Sequence, residues 1–199
     1  MINHKRTERI YHEEGLALRR KRRRKGAAGL RVMMPAPQRP NQRWSMDFVT
    51  DSIVTGRRFR ALAIVDDYSR ECPVIEVDTS LGGARVVSVL DRLAETRGLP
   101  SVITTDNGPE FTGRALDEWA YRKGVHLNFI RPGKPIENAY AESFIGRLRD
   151  ECLNENWFMN LKHARGIIED WRKDYNEVRP HSSLKGMAPM EYAETAAGL

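Results

Sequence analysis

The sequence has few cysteines and no long apolar run, and each absence excludes a class of protein. Its two cysteines, Cys72 and Cys152, lie far apart and in no metal-ligand spacing, which predicts reduced thiols instead of the disulfide framework of a secreted domain. No apolar run approaches the roughly 20 residues that cross a bilayer, and residues 1–15 lack the apolar segment of a secretory signal. The histidines show no zinc-ligand spacing, so no zinc is implied. We therefore predict a soluble, cytoplasmic protein.

The positive charge is concentrated in one part of the chain. The 199 residues include 33 Lys and Arg against 27 Asp and Glu, a net charge of +6. Residues 1–40 hold 12 of the basic and 3 of the acidic residues, so the remainder is slightly acidic. Contact with nucleic-acid phosphates is favoured by this pattern, although a disordered solubilising tail would share it. The basic residues form one uninterrupted run: Arg19, Arg20, Lys21, Arg22, Arg23, Arg24 and Lys25.

A proline-rich segment separates this basic arm from the rest of the chain. Pro35, Pro37 and Pro40 fall within six residues, which predicts an extended linker because proline interrupts helices and central strands. We therefore divide the chain into an arm with its linker, residues 1–40, and a globular body, residues 41–199.

The body alternates between strand and helix patterns. Apolar runs and period-two alternation predict strands at residues 43–51, 59–66, 72–79, 100–106 and 125–130. Amphipathic spacing predicts helices at residues 83–98, 112–124, 138–154 and 160–180. Short turns join the first three strands, so we expect these strands to pair antiparallel. The later alternation of strands and helices predicts an α/β fold, with a mixed sheet flanked by helices.

Two aspartates stand out because of their positions on the predicted strands. Asp47 lies inside the first strand between Met46 and Phe48, where a carboxylate is costly unless it is paired or binds a metal. Asp106 follows the fourth strand, and ligands of open α/β sheets bind at the carboxyl ends of strands. Each has a structural alternative, a solvent-facing strand position for Asp47 and a turn position for Asp106. If the first and fourth strands are neighbours, both carboxylates meet at one edge of the sheet.

A third carboxylate is expected from the helix at residues 138–154. Tyr140, Phe144 and Leu148 form an apolar row that should face the core. Glu142 lies about 200° around the helix from Tyr140, off this row and near the helix start. A set of three such carboxylates suits Mg²⁺, and two ions about 4 Å apart can stabilise both the attacking and the leaving oxygen at a phosphodiester.

The other charged residues of this helix are distinguished by their angular positions. Arg149 stands seven residues after Glu142 and within about 20° of the same face, so it is placed to meet a nearby phosphate. Asp150 and Glu151 point elsewhere, and we interpret them as surface residues that pair with Arg147 and similar neighbours.

Four segments in order resemble one family. They are "WSMDFV", "TTDNGPEF", "RPGKPIENAYAESFIGRLRDECLNENWF" and "DYNEVRPHSSL". Together they are similar to the integrase-core transposases of bacterial insertion sequences, which resemble retroviral integrases. The resemblance covers about residues 40–195 and includes an Asp, Asp, Glu set with 35 residues between the last two members.

The resemblance implies a ribonuclease-H-like fold and a specific chemistry. Asp47, Asp106 and Glu142 would be the catalytic metal ligands for Mg²⁺, with Mn²⁺ as a substitute, in DNA strand cleavage and strand transfer at transposon ends. Arg149 occupies the position of a basic residue that contacts DNA in the family. Arg131 and Lys134, in the loop before the helix, are further candidates for phosphate contacts.

Other residues receive structural interpretations. Asp66 and Asp67 at the end of the second strand are predicted to serve in a turn, and Glu110 is predicted to lie near Asp106. The segment from Tyr175 to His181 is interpreted as helix termination and packing. The tryptophans are predicted to anchor the core: Trp44, Trp119, Trp157 and Trp171.

Two functional classes follow from these patterns. The first is an active transposase that acts on transposon-end and target DNA as a homo-oligomer. The second is a shortened, non-catalytic DNA-binding regulator of transposition, and a ribonuclease-H-like nuclease is a weaker alternative. Residues 1–16 resemble only the last part of the helix-turn-helix region found upstream in the family. We therefore expect either a truncated copy or a separately encoded helix-turn-helix partner that recognises the DNA ends.

Overall fold

A five-stranded sheet runs through the body of the protein in a computed structural model, which describes residues 35–131 and 135–197. The strand order is β3-β2-β1-β4-β5, with β1 at the centre. Strands β1, β2 and β3 pair antiparallel, as their short turns predicted. Strands β4 and β5 continue the sheet parallel to β1, which confirms the mixed sheet expected from the strand-helix alternation. The strands are β1 (Arg43–Ser52), β2 (Arg58–Asp66), β3 (Val74–Asp78), β4 (Val102–Thr105) and β5 (His126–Phe129).

Five α-helices accompany the sheet in the described residues. They are α1 (Gly83–Thr96), α2 (Arg114–Lys123), α3 (Ala139–Leu148), α4 (Leu161–Glu177) and α5 (Pro189–Ala197). A 3₁₀ turn at Pro135–Asn138 leads into α3, which continues as π-helical turns over Arg149–Leu153, so the helix predicted at residues 138–154 is observed in two parts. Gly124 ends α2 with a φ of 69°, a conformation that glycine adopts without strain. Helix α5 was not predicted.

The two faces of the sheet bury separate hydrophobic cores. Along β1, Trp44 and Met46 point to the layer that contains α1 and α2. Val49 points to the opposite layer, where Phe144 of α3 and Ile168 of α4 lie. This alternation follows from the period of two along a strand and produces a three-layer structure with the sheet in the middle.

The tryptophan prediction is correct in part. Trp44 and Trp119 are fully buried, and Trp171 packs at the edge of the core. Trp157 is 83% exposed, so its predicted core position is wrong. The neighbouring Phe158 fills the core position instead and packs edge-to-face on Phe59.

Some predictions fall on residues outside the described ranges. These are the basic run at residues 19–25 and Lys134, and the division of the chain near residue 41 also stays a prediction. No helix in the described residues is both long enough and apolar enough to cross a membrane.

Candidate active site

Strand pairing places Asp47 and Asp106 at the same level of the sheet. Strands β1 and β4 are parallel neighbours, and Ser45 pairs with Thr104 in their register. Asp47 and Asp106 each stand two residues beyond this pair. The first and fourth strands are therefore adjacent, which is the condition under which the two carboxylates were predicted to meet.

The alternation along β1 decides which layer Asp47 faces. Val49, two residues on, packs against Phe144 of α3, so the side chain of Asp47 lies on the α3 face of the sheet. Helix α3 is held over this position because the buried Asn138 donates from Nδ2 to the carbonyl oxygen of Met46 at 3.2 Å. The sheet and the helix start are thus fixed to each other beside Asp47.

Helix α3 presents Glu142 away from its buried stripe. Ala141, Phe144 and Leu148 are buried, which confirms two of the three residues in the predicted apolar row. Tyr140, the third, is half-buried and packs under the guanidinium of Arg70. Glu142 is exposed in the first turn of the helix, where the helix dipole favours an anion.

The pKa of Asp47 is affected by the two other acids of the predicted set. Burial is the main cause that raises the pKa of Asp47 to about 6, and the charges of Asp106 and Glu142 raise it further. A hydrogen bond from the backbone N–H of Phe48, at 2.6 Å, opposes this rise. The cost of these mutually repelling charges would be relieved by a bound cation.

The loop after β4 holds Asp106 through a glycine. Oδ1 of Asp106 accepts a hydrogen bond from the N–H of Gly108 at 2.9 Å. A Cβ atom at Gly108 would lie 3.0 Å from this same oxygen and 3.2 Å from Oε2 of Glu110. The close approach of two carboxylates to the Gly108 backbone therefore leaves little room for a side chain.

Glu110 is fixed by an arginine that the sequence patterns did not single out. Arg60 of β2 forms an ion pair with Glu110, and this hydrogen bond is the main cause that lowers the pKa of Glu110. The Arg60 guanidinium also lies 4.0 Å from the ring centroid of Phe48, and that ring stacks on Phe111 at 5.0 Å. Because Arg60 stands 50 residues before Glu110, only the folded arrangement identifies the contact.

The donor set of the site fits a hard cation. Asp47, Asp106 and Glu142 offer only carboxylate oxygens, the ligand type that Mg²⁺ and Mn²⁺ prefer. Within residues 35–131 and 135–197, however, no three His, Cys, Asp or Glu side chains are gathered closely enough to form a ready metal cage. In the described structure, Asp47, Asp106 and Glu142 are thus not preassembled into such a cage.

Asp66 and Asp67 are hydrogen-bonded inside the protein, as predicted for turn residues. Both are almost completely buried. Asp66 accepts hydrogen bonds from the backbone N–H groups of Asn41, Tyr68 and Ser69. Their oxygens serve the fold and not an external ligand.

The two described residues that were predicted to contact DNA have different surroundings. Arg149 is exposed at the end of α3. Arg131 is engaged by Glu137, which accepts from its Nε at 2.7 Å and from its backbone N–H at 2.9 Å. Of the acids interpreted as surface residues, Asp150 is exposed, and Glu151 pairs with Arg179 instead of Arg147.

The segment from Tyr175 to His181 ends α4 and buries three of its side chains, Tyr175, Asn176 and His181, in agreement with its interpretation as helix termination and packing. Helix α4 ends at Glu177, three residues before Pro180. Asn176 is buried and accepts from the backbone N–H of Cys72 and donates to its carbonyl oxygen, both at 2.9 Å. This side chain therefore completes the backbone hydrogen bonding at the start of β3.

Comparisons with known proteins show a consistent relationship. Two models of the integrase core domain match residues 37–135 and 123–189. The chain is 53% identical over 191 residues to an uncharacterised 31.7 kDa protein of insertion element IS407 from Burkholderia multivorans. It is 47% identical over 192 residues to an uncharacterised 39.2 kDa protein of element IS476 from Xanthomonas euvesicatoria. The chain covers 69% of the first relative's length and 56% of the second's.

Two solved structures with a similar fold come from a viral integrase and a viral intasome. The HTLV-2 integrase catalytic core domain in complex with magnesium, in its trimeric form, aligns with a TM-score of 0.63 at 16% identity, over 78% of this chain and 97% of that one. A simian T-cell lymphotropic virus intasome chain aligns with a TM-score of 0.69 at 17% identity, over 80% and 56%. At these identities the likeness concerns the fold, which is ribonuclease-H-like.

Proposed function

Because the chain belongs to the integrase-core family and its close relatives are proteins of bacterial insertion elements, we propose that it is a transposase that cleaves and transfers DNA strands in a metal-dependent reaction. One observation carries the assignment of the site. Asp47 on β1, Asp106 directly after β4 and Glu142 on α3 lie close enough that the charges of Asp106 and Glu142 raise the pKa of Asp47. Such convergence of acids without a nucleophilic side chain suits phosphodiester chemistry.

The three carboxylates would hold Mg²⁺ or Mn²⁺. When bound, the ions would supply positive charge at the phosphodiester oxygens and ease deprotonation of an attacking water. The protein contributes fixed positions: β1 carries Asp47, Asp106 directly follows the neighbouring strand β4, and Asn138 holds the start of α3 over β1. Glu142 is exposed at the surface, where a DNA backbone has access to it.

The proposed reaction has two balanced steps at DNA phosphorus. Water attacks the phosphorus at the element end, and the bond to the 3′ oxygen breaks, which leaves a 3′-hydroxyl and a 5′-phosphate. The 3′-hydroxyl then attacks a phosphorus of the target strand, and the target's own 3′ oxygen leaves. Arg149 and, after release from Glu137, Arg131 are proposed to contact phosphates, together with Lys134 and the basic run at residues 19–25.

The proposed partners follow from this chemistry. They are the DNA of the element ends, the target DNA, a second copy of the chain, and a separately encoded helix-turn-helix protein. We propose that the reaction takes place in the cytoplasm, where bacterial DNA is accessible.

Glu142→Gln tests the proposal against a matched acid on the same helix. The full chain is incubated with a labelled duplex that carries the ends of its insertion element, with Mg²⁺ or with EDTA, and nicked and joined products are quantified. We expect products only with metal, a loss of about 1,000-fold in Glu142→Gln, and a change within about 3-fold in Asp150→Asn.

The pattern of products distinguishes the alternatives. Nicking without joining would favour a nuclease, and DNA binding without any nicking would favour a non-catalytic regulator. Equal activity of the wild type and Glu142→Gln would exclude Glu142 from the site.

A further inference from the structure

Arg147 on α3 and Arg70, which packs on that helix, differ from most other described arginines because their hydrogen-bond partners are neutral groups. Arg43, Arg60, Arg97 and Arg172, for example, each form an ion pair with an acid. Arg70 and Arg147 form no ion pair with any described acid; their hydrogen bonds go to a carbonyl oxygen and to an imidazole. Both side chains are half-buried. Arg147 has no acidic ion-pair partner among the described residues, and the charge of Arg70 acts on the Asp67 carboxylate and lowers its pKa without forming an ion pair with it.

Arg147 is positioned by His181, which follows α4. Nη1 of Arg147 lies 3.2 Å from Nδ1 of His181, and the histidine is only 4% exposed. An arginine can only donate, so Nδ1 must accept and the ring must be neutral. Burial is the main cause that lowers the pKa of His181 to about 4, followed by the charges of Arg147, Arg179 and Arg70. The imidazole thus orients Arg147 and leaves its charge available.

The histidine ring is itself fixed by packing. Tyr175 meets it edge-to-face at 4.8 Å and is buried against Phe144 of α3 at the same centroid distance. Nε2 of His181 is buried and has no hydrogen-bond partner among the described residues. A buried donor without an acceptor destabilises a fold. The tautomer whose Nδ1 accepts from Arg147 leaves the Nε2–H group unpaired, and this destabilising arrangement supports a functional role for the Arg147 contact.

Arg70 is positioned by Tyr140 and by the turn after β2. Its guanidinium lies 3.9 Å from the ring centroid of Tyr140, and its Nη1 donates to the carbonyl oxygen of Asp67 at 2.6 Å. Tyr140 and Arg147 are seven residues apart on α3, within about 20° of one face and about 10 Å along the axis. Arg70, which lies over Tyr140, and Arg147 are therefore on the same side of α3, and the charges of both act on His181.

We propose that Arg70 and Arg147 form a binding surface for the phosphate backbone of duplex DNA, positioned by Tyr140 and His181. The choice of DNA as the ligand rests on the proposed function, whereas the lack of an ion pair at Arg70 and Arg147 among the described residues does not. Guanidinium groups held in fixed orientation bind phosphate oxygens well. Glu142 lies about 200° around α3 from Tyr140. The surface therefore engages DNA that flanks the reacting bond, not the bond itself.

The test compares two double variants with the same loss of charge. The full chain is titrated onto a fluorescent duplex in EDTA over a range of salt concentrations. In Arg70→Gln/Arg147→Gln we expect weaker binding and a plot of log K against log salt that is shallower by about 2, since each phosphate contact contributes about 0.9. In Arg85→Gln/Arg165→Gln, whose arginines already pair with Glu76 and Asp78, the slope should stay near that of the wild type.

Two outcomes would overturn the proposal. One is a folded Arg70→Gln/Arg147→Gln variant with the slope of the wild type, and the other is an equal loss in both double variants, which would reflect net charge alone. Should the Gln variant fail to fold, wild-type protein is treated with phenylglyoxal with and without DNA. Protection of Arg70 and Arg147 but not of Arg114, which is exposed and paired with Glu118, supports the surface, and no protection refutes it.

The result of the DNA-binding test does not determine the result of the cleavage test, so the two proposals can be rejected separately. EDTA removes metal-dependent cleavage, so the titration measures DNA binding alone. Glu142→Gln should bind DNA at least as well as the wild type even though it does not cleave. If that variant binds normally and the wild type does not nick, the proposed reaction is wrong and the DNA surface stands.

Discussion

Two pairs of aspartates lie in or directly after strands of the same sheet: Asp66 with Asp67, and Asp47 with Asp106. The two pairs differ in how far the protein itself satisfies their carboxylates. Asp66 and Asp67 end β2 and are almost completely buried. Asp67 accepts from the Ser45 hydroxyl at 2.6 Å and from Arg43. Asp47, by contrast, accepts one recorded hydrogen bond, from its neighbour Phe48. The first pair is satisfied by the protein, and the second leaves carboxylate oxygens available for an external ligand.

The comparison shows that a raised pKa alone does not identify a catalytic acid. Burial raises the pKa of Asp47 and of Asp67 to about 6 in both cases. The other causes differ: hydrogen bonds from Ser45 and Arg43 lower the pKa of Asp67, whereas the charges of Asp106 and Glu142 raise that of Asp47. An acid surrounded by donors is structural, and an acid surrounded by other acids is a candidate for binding a cation.

The largest expected effect separates activity from stability at Asp47. Asp47→Asn should lower strand cleavage by about 1,000-fold because a proposed metal ligand is lost. The same change should raise the free energy of unfolding of the metal-free protein by about 1–2 kcal/mol, since a desolvated charge beside two others is removed. Cleavage assays and urea unfolding at pH 7.5 measure the two effects. Destabilisation with retained activity would contradict the comparison.

Asp67→Asn should lower the stability of the protein and leave strand cleavage almost unchanged, the reverse of the effects expected for Asp47→Asn. Arg43 and Asp67 form a buried ion pair, and removal of one partner leaves an uncompensated buried charge. We expect the free energy of unfolding to fall by about 3 kcal/mol. Cleavage per folded molecule should remain within about 3-fold of the wild type in the same assays. A large loss of activity in fully folded protein would place Asp67 in the site after all.

Burial also shifts the pKa of a basic side chain, that of His181, and this shift predicts how stability changes with pH. Its pKa is lowered from 6.5 to about 4, so the unfolded chain binds the proton more readily than the folded one. Stability should therefore be intact above pH 6.5 and be lost as the pH falls toward 4, by on the order of 2 kcal/mol. His181→Asn should lack this portion of the acid sensitivity in denaturation curves measured between pH 7.5 and 4.5. An unchanged pH dependence would show that other groups cause it.

The smallest expected effect concerns the loop that holds Asp106. Gly108→Ala places a Cβ atom 3.0 Å from Oδ1 of Asp106, so this carboxylate or the backbone must shift. We expect a loss of about 1 kcal/mol in stability and a decrease of roughly 10-fold in cleavage. Gly146→Ala on α3, where a Cβ atom meets nothing within 4 Å, is the control and should leave cleavage unchanged. Equal cleavage by both variants would show that the loop adapts.

Much of the fold was predictable because local patterns determine it. The five strands and four of the five helices in the described residues lie within a few residues of their predicted positions. The exceptions have physical reasons. Helix α5 has a short and weak apolar pattern, and the π-helical turns after α3 share their apolar spacing with an ordinary helix. Trp157 and Phe158 are adjacent apolar residues, and composition does not decide which of them points inward.

The sequence by itself determined the strand-helix order and singled out Asp47, Asp106 and Glu142 through strand position, helical angle and spacing. Only the tertiary structure decided which charges are neutralised, because ion pairs join residues far apart in the chain. Arg60 reaches Glu110 across 50 positions, and Arg147 reaches His181 across 34. Charge compensation depends on these distances in space, which no periodicity records.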